Sequence, residues 1–170
     1  MPSFEVQPCT EADIPRVFEI ISLAFANDHE YMDAIFPAHG TPEGRRAGSE
    51  RMLQIFQGDP YGNFTKVIDK DTGKIAGAAK WNLYKNGEVP PQPAIGGDYW
   101  DSEDDKEFAQ ALFHNFFAMR QKVIQETNGN LVEGFDGPYY VVPVPEKFAA
   151  RRKQVYYWMR RPAQKRVMTP

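Results

Sequence analysis

The 170 residues are 42% apolar and 25% charged, and a domain of this length buries about 70% of the surface its unfolded chain exposes, which excludes chain-wide disorder. A net charge of −3 and a pI near 5.6 provide no overall basic field for a nucleic-acid backbone, so no nucleic-acid partner is expected. The lone cysteine, Cys9, forms no intrachain disulfide, and no charged-then-apolar leader or apolar run of about 18 residues occurs, so the expectation is a cytoplasmic protein with no membrane partner.

Ser3 to Gln7 alternates polar and apolar residues and predicts a short strand. Thr10 and Asp13 form a capping-box-like pair, or Asp13 is itself the cap with Pro15 in the first turn, ahead of a helical stripe of Val17, Phe18, Ile21 and Phe25. Asn27 to Gly44 is rich in His, Pro, Gly and aromatics and reads as a loop with a short helix inside. Glu43 to Gln57 resumes helical spacing through Ala47, Met52, Leu53 and Phe56, and Gly58-Asp59-Pro60 stops it.

A hairpin follows: Asn63 to Asp69, a turn at Asp71-Thr72-Gly73, and a returning strand from Lys74 to Lys85. The returning strand is unusually small in Ala76, Gly77, Ala78 and Ala79, then ends in Trp81 and Tyr84. Small residues let another backbone or a flat ligand lie close against a strand. Pro90, Pro91, Pro93 and three nearby glycines make the next stretch a loop. Ser102 with Asp105 predicts another capped helix start, and the acidic residues from Asp98 to Glu107 suit its positive end better than they suit a metal. Leu112, Phe116, Met119 and Val123 carry that helix to Glu126. Beyond it, Pro138 to Val144 reads as a strand, Glu146 to Lys153 as a short helix and Gln154 to Met159 as another strand, with basic residues crowding the tail.

The amino-terminal strand and helix, the hairpin Asp69-x-x-Thr-Gly-Lys-Ile-Ala-Gly-Ala-Ala-Lys-Trp81 and the proline-rich loop before a long helix together resemble fungal members of the GNAT acyltransferase family over about residues 3 to 130. The resemblance implies a single domain over residues 1–170 of α+β class, with a mixed, mostly antiparallel sheet flanked by helices and an altered C-terminal half. It also implies transfer of an acetyl group from acetyl-CoA to a small-molecule amine. The family's basic, glycine-rich pyrophosphate turn has no counterpart after Asn130, where Leu131-Val-Glu-Gly-Phe135 stands instead. The alternative is a catalytically inactive domain of the same fold that holds an apolar or aromatic small molecule or a partner chain.

Within the acyltransferase reading, the candidate catalytic residues are Glu30, with His29 and Asp33 also suited to relieve an amine of its proton, and Tyr140 as a phenol for the departing thiolate. Arg151, Arg152 and Lys153 are the candidates for the CoA phosphates, and His29, Ala79, Trp81 and Tyr84 for the acceptor side. His29, His39 and His114 lack the three- or four-residue spacing of paired ligands on one helix, so no metal is expected. Cys9 has no histidine beside it in sequence and is not expected to act as a nucleophile. A homodimer is expected, with one of the late strands covering a sheet edge.

Overall fold

The computed structural model describes residues 3–26, 28–82, 94–126, 140–141, 145–151 and 157–158. Its first strand, β1 (Phe4–Pro8), leads into a turn in which the Asp13 carboxylate accepts from the Thr10 amide at 2.7 Å and the Thr10 hydroxyl at 2.8 Å. That pairing satisfies groups a helix start would otherwise leave bare. A short 3₁₀ turn, Glu11–Asp13, passes into α1 (Ile14–Phe25), with Pro15 in its first turn. The helices α2 (Glu30–Ile35) and α3 (Pro42–Gly58) follow, the latter capped by Thr41, whose hydroxyl accepts from the Gly44 amide at 3.0 Å.

The predicted hairpin is β2 (Gly62–Asp69) and β3 (Ile75–Asn82). Its turn uses Gly73 at φ 68°, where its amide donates to Asp69 O at 2.7 Å, a backbone conformation that favours glycine. β1 and β3 flank β2, both antiparallel, with Val6 opposite Val67, and Thr65 opposite Ala79. Pairing with β2 runs as far as Asn82, which stands opposite Gly62, and the predicted extension of the strand to Lys85 lies outside the described residues.

The chain divides into two compact units, Met1–Leu83 with Asp98–Asp105, and Tyr84–Gly97 with Lys106–Pro170. In the first, Cys9, Ile14, Val17 and Phe64 form a buried cluster against which Ile21, Met52, Leu53, Phe56 and Ala78 pack. Each large apolar side chain of this kind contributes about 1.5–3 kcal/mol when fully buried. Polar ties hold the helices to the sheet: Lys66 Nζ lies 2.7 Å from Asp13 Oδ2, and Asp59, at the end of α3, accepts from Lys80 Nζ at 2.5 Å and Asn82 Nδ2 at 3.1 Å. Burial pushes the Asp59 carboxyl up, but Lys80, the Tyr61 amide and Asn82 together pull it below its ordinary range.

The long helix α4 (Glu103–Glu126) starts at Ser102, whose hydroxyl accepts from the Asp105 amide at 3.1 Å and donates to its carboxylate at 2.5 Å. In the second unit Phe108, Ala109 and Leu112 of α4 are buried, and Phe148, from the 3₁₀ turn Glu146–Arg151, meets Phe108 edge to face at 5.5 Å. The late strands β4 (Tyr140–Val141) and β5 (Tyr157–Trp158) pair antiparallel with each other. The fold class is α+β, and every strand pair among the described residues is antiparallel. No described helix is long and apolar enough to cross a membrane.

Candidate functional site

The richest polar chemistry gathers around α2, in the stretch whose irregular composition reads as a loop with a short helix inside. After α2 the backbone turns tightly. Ala38 adopts a left-handed φ of 57°, and its carbonyl accepts from the Thr41 amide at 2.8 Å and hydroxyl at 2.9 Å. That conformation costs an alanine on the order of 1–2 kcal/mol, and it delivers the next residue, His39, to the interior, 1% exposed.

The His39 ring is bonded on both sides. Nδ1 lies 3.0 Å from Ser22 Oγ, and Nε2 lies 3.1 Å from Asp33 Oδ1. Ser22, in α1 and 2% exposed, also donates to the His39 carbonyl at 2.7 Å. With the ring proton on Nε2, facing Asp33, Nδ1 and the carbonyl compete for the one serine proton; with it on Nδ1, the ring donates to Ser22 Oγ and the serine proton goes to the carbonyl. Serine, histidine and aspartate stand in line, but the serine is sealed from solvent, so the line acts as a buried strut between α1 and α2 and not as a nucleophilic site. Asp33, with a side chain 40% exposed, is the one member that reaches water.

A second cluster surrounds Arg51 of α3. Its guanidinium carbon lies 4.1 Å from the Tyr99 ring centroid, 4.8 Å from that of Phe36 and 5.4 Å from that of Trp100. Nη1 donates to Ile35 O at 2.5 Å, and the Trp100 indole donates to Ala34 O at 2.8 Å, so the Tyr99-Trp100 stretch is bound to the end of α2. Arg51 is 8% exposed, and no described carboxylate forms an ion pair with it. Burial lowers the arginine's proton affinity and the neighbouring Tyr99 partly opposes this.

The residues singled out in the sequence scatter. Glu30 opens α2 and is buried, 6% exposed. His29 caps the same helix, its Nδ1 accepting from the Met32 amide at 3.4 Å, and its ring leans on Phe25 with centroids 4.5 Å apart. Glu30, His29 and Asp33 therefore share one helix end. Ala79 and Trp81 lie on β3, both exposed, Trp81 by 53%. Among the described residues β3 pairs with β2 alone, which leaves its outer edge without a described strand. Tyr140 lies in β4. Tyr84, Arg152 and Lys153 lie outside the described residues. Arg151 stacks over Phe108 at 4.5 Å and Phe148 at 5.9 Å within the second unit.

Cys9 is buried, and burial together with the Asp13 charge raises its thiol's pKa against the opposing pull of Lys66, which leaves it a poor nucleophile. Among the described residues no group of three His, Cys, Asp or Glu side chains stands ready to hold a metal ion. Arg51 and its rings escaped sequence reasoning. One signal was present: Arg51 follows Gly44 and Gly48 at helical spacing, which puts an arginine on the same helix face as two small residues. In comparison with known proteins, the chain matches no family model, no curated protein and no solved structure.

Proposed function

We propose that the protein is an acyltransferase-like domain that moves an acetyl group from acetyl-CoA to a small-molecule amine. The observation that supports this reading is β3: a strand of small residues, paired on one side only among the described residues, ending in an exposed tryptophan. Such an edge offers main-chain donors and acceptors to an extended ligand such as the donor's pantetheine arm, while Gly77 and Ala79 keep side chains out of its way. An amine attacks the thioester carbonyl only after losing its ammonium proton, so a base must accept that proton, while the C–S bond breaks and CoA leaves as the thiol. Glu30 and Asp33 are the carboxylates of this reading, and Asp33, held by His39 and open to water, is the more accessible.

The test is calorimetric titration with acetyl-CoA and with CoA. Micromolar binding is expected; no heat and no thermal shift at millimolar ligand would overturn the reading. The burial of Glu30 favours a second reading, a non-catalytic domain of the same fold that holds an apolar or aromatic small molecule or a partner chain. On that reading acetyl-CoA produces no turnover with any amine, and ligands displace water from Trp81 without chemistry.

A further inference from the structure

The Arg51 cluster is unusual in its electrostatics. A buried guanidinium is ordinarily matched by a carboxylate, because taking a charge out of water is costly even after relaxation. Here the described surroundings are three aromatic rings and one carbonyl. Ring faces attract a cation but accept no directed hydrogen bond of ordinary strength. A guanidinium carries a fork of several N–H donors, and the one described hydrogen bond runs from Nη1 to Ile35 O.

We propose that Arg51 anchors an oxyanion-binding site that takes the carboxylate or phosphate group of a small ligand. The geometry supports this in three ways. The guanidinium's fork matches the paired oxygens of both groups, which a lysine ammonium does not. The rings of Phe36, Tyr99 and Trp100 hold the cation in place before the ligand arrives, so little side-chain entropy remains to be lost on binding. Arg51 keeps only 8% exposure, which suits one small charged group better than a broad protein face. The lowered proton affinity caused by burial is in keeping, since an anion would offset that cost. The site is independent of the acyltransferase reading, because it requires neither CoA nor β3.

The experiment is a titration of the full-length, ¹⁵N-labelled protein with sodium phosphate and, separately, sodium acetate, with ionic strength held constant by sodium chloride. The signals followed are the Trp100 indole N–H and the Arg51 Nε–H. A saturable shift of both with one of the two anions is expected, and which anion it is distinguishes phosphate from carboxylate. In Arg51→Lys the affinity should fall about tenfold or more. Linear drift with both anions, or a saturable shift that survives unchanged in Arg51→Lys, would overturn the proposal. Should Arg51→Lys fail to fold, the wild-type titration decides alone: saturation of the Arg51 and Trp100 signals supports the site, and its absence removes it.

Discussion

The ring of Phe18 in α1 lies against the backbone of Gly48 in α3 so closely that a methyl group on Gly48 would sit 2.1 Å from the ring's Cζ. Gly48→Ala should therefore destabilise the protein by about 2 kcal/mol or more, because the fully buried Phe18 ring or the helix must shift to make room. Gly77 offers the contrast. A methyl there meets nothing within 4 Å, so Gly77→Ala should be neutral or slightly stabilising. Urea unfolding of the two variants side by side checks both expectations.

Removing the Ser22 hydroxyl should cost about 1–3 kcal/mol, since it strips a partner from the buried His39 ring and its carbonyl together. Asp33→Asn should cost less, about 1 kcal/mol or below, because that side chain is partly open to water. Equal losses in the two variants would contradict the strut described for His39.

The Asp13 carboxyl is drawn from its ordinary 3.8 to about 2, chiefly by the hydrogen bond from Lys66 and then by the Thr10 amide. Its folded-state pKa is depressed, so the stabilisation is fully present above about pH 4 and is lost as the pH falls toward 2. Allowing for solvent screening, the pair contributes on the order of 1 kcal/mol. Asp13→Asn should flatten that part of the stability profile, measured by urea unfolding at a series of pH values from neutral downward.

Trp81 is half exposed, so Trp81→Ala should leave stability within about 0.5 kcal/mol of wild type. If β3 carries the ligand, the same substitution should weaken acetyl-CoA binding at least several-fold in calorimetry. Unchanged affinity would move the donor away from this strand.

Local signals were legible in the sequence wherever the partners are close along the chain. Thr10 with Asp13 and Ser102 with Asp105 pair at a separation of three, and both pairs form as their spacing predicts. The hairpin was legible for the same reason, since Gly73 supplies the one conformation its turn requires. The site was not. Trp100 reaches Ala34 across 66 positions, and Ser22 reaches His39 across 17, separations over which no helical or strand period carries information. Glu30 and Asp33 illustrate the remainder: chemistry nominated both carboxylates, and only the fold could make one buried and the other open.

The bond from Trp100 to Ala34 also sets an order of events during synthesis. A nascent chain that has extruded α1 to α3 and the hairpin holds Arg51 with Phe36 alone of its three rings, because Tyr99 and Trp100 have yet to leave the ribosome. The charge stays solvated until they arrive. Closure of that shell waits on the return of the chain at Tyr99 and Trp100, and a chain stalled before residue 99 would present Arg51 to whatever anion or chaperone it met.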